Sequence, residues 1–389
     1  MDRKRKRIMN KIFIGLNLLF LTLYSCSPQA GNQSEEITSI EWNSLKETNP
    51  LCNAQTAVEF VQLETTDECI INYIKKIESD DDFLFIEDGM QRVYAFNKEG
   101  RFMNKIGRKG GATNEYVTLY DFILDREEKK VLLFDMGKRA ILSYDYHGNF
   151  LSTEKIRMDE FFYGGNIALA DGHCALIVNT NEPNMKYNFS LINLNSDERD
   201  SYVPYISVGL QCSTDFKGRF GYQSKKLLLR AELSDTIFVY SKGEISPKYV
   251  FNGVYRHASI NDVKRTYDIG EKAMGDLLDK GLSAGINQLY ATDRIIYFTS
   301  FINNREYRMF YDIMSKLGYR FDPIKQWSGI CLIWNNLIGT TSDAFICEVP
   351  VDDIQDETEI RNEYPQLDKL LKEYHDEDNP ILAFFYLDC

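Results

Sequence analysis

Two adjacent cations, Arg108 and Lys109, stand in a glycine-rich stretch that runs Ile106-Gly107-Arg108-Lys109-Gly110-Gly111-Ala112-Thr113-Asn114-Glu115-Tyr116. A guanidinium beside an ammonium suits a carboxylate or a sulfate. With Glu115 and Tyr116 they make up the candidate ligand-binding residues. The same four residues also fit a solvated turn whose cations pair with nearby acids. Other reactive side chains are dispersed. His147, His173, His257 and His375 show neither H-x-x-x-H nor H-E-x-x-H spacing, so no metal site is assigned. Asp80-Asp81-Asp82 and Asp352-Asp353 with Asp356-Glu357 lack the D-x-D-x-D-G loop of a calcium site, and the first group reads as a solvated hairpin tip. No G-x-S-x-G elbow, phosphate-binding loop or dinucleotide fingerprint occurs. No catalytic residue and no cofactor are therefore assigned.

The elements that must carry these residues are announced by a repeat. Leu84-Phe85-Ile86-Glu87 falls on Leu132-Leu133-Phe134-Asp135, and Val93-Tyr94-Ala95-Phe96-Asn97 on Ile141-Leu142-Ser143-Tyr144-Asp145. Gly100-Arg101-Phe102 likewise falls on Gly148-Asn149-Phe150, all at one offset. A period of roughly 40–50 residues built from short strands indicates a β-propeller. The expected fold is all-β: one six-bladed propeller of four-stranded antiparallel blades over residues 51–389. Blade one is expected at 73–106, blade two at 119–156, blade three at 166–206 and blade four around Leu227–Leu229 and Thr236–Tyr240. Blade five is expected at 287–321. Blade six takes Ile330–Trp334, Ala344–Glu348 and Ile381–Tyr386 and lacks a fourth strand. The alternating segment Val58–Leu63 can supply that strand and close the ring, which removes an exposed edge. Two helical insertions are expected, at Lys264–Leu282 and Glu357–Tyr374, where apolar residues recur at helical spacing. A propeller can assemble a site from one residue per blade. Tyr73, Leu119, Asn166, Asn287 and Ile330 mark the inner-strand starts where it would lie.

The front of the chain carries an address. Arg3, Lys4, Arg5, Lys6, Arg7 and Lys11 precede an apolar run, Ile12–Leu23, too short for a comfortable membrane span and suited to a secretory signal. Leu23-Tyr24-Ser25-Cys26 resembles the lipobox of bacterial lipoproteins, which implies a signal peptide at 1–25 and lipidation of Cys26. An ordinary signal peptide or an inner-membrane anchor with an incidental cysteine is the other reading. Residues 26–50 are expected to form a flexible tether, polar at first with Pro, Gly, Gln and Ser. Ser27 carries no acidic retention signal, which favours the outer membrane. The formal net charge is −13, and loss of residues 1–25 removes six Lys/Arg and one Asp. So acidic a chain repels nucleic acid, whose binding is driven by cations.

Cysteine usage does not describe a disulfide framework. Besides Cys26 there are Cys52, Cys69, Cys174, Cys212, Cys331, Cys347 and Cys389, with no C-x-x-C. Cys174, Cys331 and Cys347 fall in apolar strand patterns and read as buried thiols, while Cys52 and Cys69 could pair in an oxidising envelope.

The Gly-rich linker, the strand text VYAFNKEGRFMNKIG followed by FILD and VLLFD, and the segment FVQLETTDECIINYIKKI together resemble NHL repeats and the six-bladed, TolB-like β-propeller lipoproteins common in Bacteroidales. Asn114 and Ala112 stand where that family usually has Gly and Pro. The resemblance implies an envelope-bound propeller and no particular activity. The function expected from the whole is an anchored binding protein whose propeller face takes an envelope protein, peptide or glycan. The alternative is a lyase or hydrolase with a site at the channel mouth.

Overall fold

Leu84 and Ile86 leave their strand on one side, Phe85 on the other, and all three are buried. The computed structural model describes residues 36–387 apart from 53–55, 156–165, 171–173, 179–186, 194–198, 205–217, 224–225, 232–233, 254–255, 257–278, 284, 304 and 327–328. Within it Leu84 and Ile86 pack with Leu382 and Phe384 of the last strand in the chain. Phe85 packs with Leu119, Phe122 and Leu133 of the following one. Period-2 alternation with both faces covered is what a stack of sheets requires. It makes each middle strand read as an unbroken apolar run.

The described strands form six sheets. The first contains Ile74–Ser79, Phe83–Asp88, Val93–Asn97 and Phe102–Ile106. The second contains Leu119–Asp125, Lys130–Asp135, Ala140–Asp145 and Phe150–Lys155. The third contains Asn166–Ala170, Cys174–Val178, Tyr187–Asn193 and Arg199–Pro204. The fourth runs through Phe220–Gln223, Lys226–Arg230, Thr236–Ser241 and Glu244–Asn252, and the fifth through Ile286–Ala291, Ile295–Ile302, Arg305–Asp312 and Gly318–Phe321. The sixth joins Leu337–Thr340, Phe345–Glu348 and Ile381–Tyr386 to the early strand Ala57–Gln62. There Ile381 pairs with Gln62 and Tyr386 with Ala57, antiparallel. The architecture is an all-β propeller of four- to five-stranded sheets with few helices.

The structure corrects the tether. Residues 26–50 do not run free to their end. Thr38–Glu41 adds a parallel fifth strand beside Glu244–Asn252, and Lys46–Glu47 does the same beside Gly318–Phe321. Ile40, Trp42 and Leu45 are buried between the fourth and fifth sheets, and the Arg320 guanidinium lies 3.9 Å over the Trp42 ring. Three large apolar residues in six positions bury too much surface to stay in water. Residues 1–35, with the expected signal peptide and Cys26, lie outside the described residues.

Ile330–Trp334 is a helix, not the inner strand of the sixth sheet. A short continuous apolar run has no period that tells strand from buried helix. Here Gly329, at φ 61°, turns the chain into the helix. Trp334 then drops among Tyr297, Phe310, Phe345 and Phe385. The inner strand comes later, at Leu337–Thr340. Cys331 is therefore a buried helical thiol and Cys347 a buried strand thiol. The segment expected to be helical at 357–374 forms two helices, Thr358–Glu363 and Pro365–Glu373. Pro365 starts the second because its missing N–H costs nothing at a first turn. Ile360, Leu367 and Leu371 bury the apolar stripe, and Gln366 Nε2 donates to the Phe60 carbonyl at 3.0 Å. The helix pair thus caps one backbone group of the sixth sheet's edge strand. Most of the other expected helix, Lys264–Leu282, lies outside the described residues.

Candidate ligand-binding site

The inner strands meet around a cavity of about 550 Å³. Its wall draws on five of the six sheets: Lys75, Lys76 and Glu78 from the first, Tyr120 and Asp121 from the second, Phe220 and Tyr222 from the fourth, Tyr290 from the fifth, and Gly339 and Thr340 from the sixth. Glu87, Arg126 and Arg219 complete the charged lining. Four cationic and three acidic side chains therefore face one cavity of a chain whose balance is strongly acidic.

Lys76 is the centre of this lining. Its Nζ lies 2.7 Å from Asp121 Oδ1, 3.1 Å from Glu78 Oε1 and 2.5 Å from the Phe122 carbonyl. Burial opposes its charge, but Asp121 and Glu78 outweigh burial, and its pKa lies above the usual lysine value. Asp121 in turn accepts the Ile167 backbone N–H at 2.9 Å, so one carboxylate joins the first, second and third sheets. Arg126 donates to the Ser79 carbonyl at 3.0 Å and to Glu78 at 3.2 Å, with its guanidinium 4.5 Å over the Tyr222 ring. Burial pushes the Tyr222 phenol up to about 12.

Glu87 differs from the other acids. It is fully buried, and Lys75 Nζ, itself partly exposed, reaches one oxygen at 2.5 Å. Among the described residues its second oxygen has no hydrogen-bond partner. Burial holds this carboxyl up at about 7, with Lys75 opposing and Asp121 adding to the effect. A carboxyl poised there can change charge near neutrality.

The linker residues picked out in the sequence are brought together, but with one another. Arg108 Nε meets Glu115 Oε1 at 2.6 Å, and Glu115 also accepts the Ala112 N–H at 2.8 Å. That N–H is the main reason the Glu115 carboxyl sits below its ordinary value, with Arg108 assisting. Lys109 bridges to Tyr116 through the backbone. Tyr116 is buried and donates its hydroxyl to the Gln91 carbonyl at 2.7 Å. None of the four lines the axial cavity, but Gln91 does. The linker therefore braces the rim. Of the inner-strand starts, Leu119 lines the cavity, Tyr73 is exposed, and Ile330 sits in the helix. The side chain of Asn166 lies outside the described residues.

Other carboxylates serve the frame. Asp80 is not a solvated tip: it accepts Lys129 Nζ at 2.8 Å and the Tyr146 hydroxyl at 2.7 Å, tying the first sheet to the second. His147 is an exposed turn residue, and His375 pairs with Asp378 at 3.4 Å. Cys52 and Cys69 are not joined to each other. Cys69 is buried beside Asn379, whose side chain also holds the Glu64 and Cys69 carbonyls and the Ile71 N–H. Among the described residues no three His, Cys, Asp or Glu side chains gather where a metal ion could be held.

Residues 40–386 match the DUF4934 family, a domain of unknown function, and the protein belongs to it. Comparison with curated proteins finds no match. Among solved structures the chain is similar to a Bacteroides fragilis protein named for its expected export, at 21% identity and a TM-score of 0.73, over 91% of this chain and 100% of that one. It is also similar to a DUF4221 member from Bacteroides vulgatus, at 10% identity and a TM-score of 0.50, over 86% of this chain and 98% of that one. A streptogramin B lyase superimposes at a TM-score of only 0.35 and 11% identity, over 69% of this chain and 87% of that one, too loosely to carry its chemistry across. These likenesses establish the fold alone.

Proposed function

We propose that this protein is an exported binding propeller, anchored to the outer membrane through a lipid on Cys26, whose axial cavity takes a carboxylate-bearing segment of an envelope peptide or glycan. We read the six sheets as six blades of one ring, closed through Ala57–Gln62. The observation that carries the binding reading is the gathering of Lys75, Lys76, Arg126 and Arg219 around one cavity of an acidic chain. Near and below neutrality Glu87 holds its proton, and four cations then face only two other acids. Cations in a walled cavity attract an anion more strongly than the same charges on an open surface. Phe220, Tyr222 and Tyr290 add flat apolar area for a sugar ring or a side chain. The expected export of the Bacteroides fragilis neighbour agrees with the basic and apolar N-terminus. Arg108 and Lys109 then support the rim and leave ligand contact to the cavity wall.

Titration of the purified protein with an oligouronic acid and with a neutral oligosaccharide of equal length tests the binding site. The acidic ligand should bind more tightly, and its affinity should rise as pH falls through about 7, the Glu87 value. Lys75→Gln, at a partly exposed position, should weaken it by about tenfold, the loss of one charge-assisted contact. Equal binding of both sugars, or an unchanged Lys75→Gln variant, would count against the cavity. The anchor has its own test. Cys26→Ala should shift the protein from the membrane to the soluble envelope fraction, and retention in the membrane after a salt wash would end the lipoprotein reading.

A further inference from the structure

We propose that Cys52 and Cys331 form a disulfide that staples the N-terminal segment to the helix Ile330–Trp334. Cys52 ends the short turn Pro50–Cys52, and Cys331 lies in that helix. The two sulfurs share one donor: Asn49 Nδ2 lies 3.0 Å from Cys331 Sγ and 3.5 Å from Cys52 Sγ. Asn49 is itself buried, and its side-chain Oδ1 accepts the Leu51 N–H at 3.0 Å, which fixes the turn over the helix. Leu51 and Cys331 belong to one apolar cluster between the fifth and sixth sheets. The thiols also interact directly, Cys52 adding to the upward push that burial gives the Cys331 thiol, to about 11. Cys69, the partner that an oxidising envelope allowed, sits instead against Asn379 on another element.

Cys52 is exposed and Cys331 is not, which sets the order of events. The Cys52 thiolate attacks a sulfur of a disulfide oxidant and expels one thiolate, which takes up the Cys52 proton. The deprotonated Cys331 sulfur then attacks the Cys52 sulfur of the mixed disulfide. The S–S bond of the pair forms, and the second oxidant thiolate leaves and is protonated. One oxidant disulfide is reduced to two thiols and two protein thiols are oxidised. Because burial keeps Cys331 protonated, this second step should quicken as pH rises. The link encloses most of the ring in one covalent loop, so it constrains the unfolded chain strongly. It depends on the exported location proposed above only for its supply of oxidant.

The test is a mass-spectrometric map of thiols. Protein recovered from the envelope, alkylated in acid and digested without reductant, should yield a peptide joining Cys52 to Cys331 that separates on reduction. Fully reduced protein exposed to oxidised glutathione should form the same link, and its melting temperature should rise by several degrees. Cys69→Ser should leave the link intact, whereas Cys52→Ser should leave Cys331 alkylatable after unfolding. A link that forms with glutathione but is missing in cells would support the pair and count against export. No link with glutathione, or Cys52 joined to another cysteine, would overturn the proposal.

Discussion

A chain beginning at residue 67 should fail to populate a folded monomer, whereas chains beginning at residue 37 or residue 50 should fold. The difference is the strand Ala57–Gln62. It makes six Cα pairings with Ile381–Tyr386, and its Phe60 and Val61, with the adjoining Leu63, are buried. Each of these side chains contributes about 1.5–3 kcal/mol when buried. Their sum is comparable to the roughly 5–15 kcal/mol by which a native domain exceeds its unfolded state. Removal also bares Ile381–Tyr386, an apolar strand with an open edge that invites pairing between chains. The chain beginning at 50 lacks Thr38–Glu41 and Lys46–Glu47 but keeps the pairing of Ala57–Gln62 with Ile381–Tyr386, so it separates that pairing from the added edge strands. Light scattering and thermal unfolding read the outcome. Equal melting temperatures for the chains starting at 50 and 67 would show that this pairing holds nothing.

The second large effect is a pH-dependent gain from Glu87→Gln. Glu87 faces Lys75, Lys76 and Asp121, and burial lifts its carboxyl from 4.5 to about 7. The unfolded chain releases that proton near 4.5 while the folded chain keeps it to about 7. The folded state therefore binds more protons in this window, and stability falls as pH rises through it. Each unit is worth about 1.4 kcal/mol, so the loss at mildly alkaline pH is about 3 kcal/mol. A glutamine has no charge to desolvate. Urea unfolding should show little difference between variant and wild type at about pH 5 and a clear gain for the variant at about pH 8. A difference that does not change with pH would mean that Glu87 is not poised as described.

Much of the frame was legible because it is local. The repeat between Leu84–Phe96 and Leu132–Tyr144 marks two sheets whose side chains alternate between neighbouring cores. The heptad-like spacing of Ile360, Leu367 and Leu371 marks the helix pair. Ile330–Trp334 was misread because an apolar run of that length carries no period. Thr38–Glu47 was misread because polar flanks obscured Ile40, Trp42 and Leu45. The cavity had little sequence signal beyond the inner-strand starts, of which Leu119 lines it, since its wall draws on positions from Lys75 to Thr340. Glu87 was hidden by the repeat itself. The repeat aligns Glu87 with Asp135, which accepts the Val117, Thr118 and Gly137 N–H groups. In the first sheet Asp88 does that work, accepting the Met90 and Arg92 N–H groups. The turn after the strand is set one residue differently, which leaves Glu87 to the cavity.

The central claim is that the axial cavity, and not the outer rim, holds the ligand. A crystal structure of the complex with an oligouronic acid measures this most directly. The account predicts a ligand carboxylate within about 3 Å of at least two of Lys75, Lys76, Arg126 and Arg219. A ligand bound at the Arg108–Tyr116 linker or on the outer strands, with the cavity filled only by water, would contradict it.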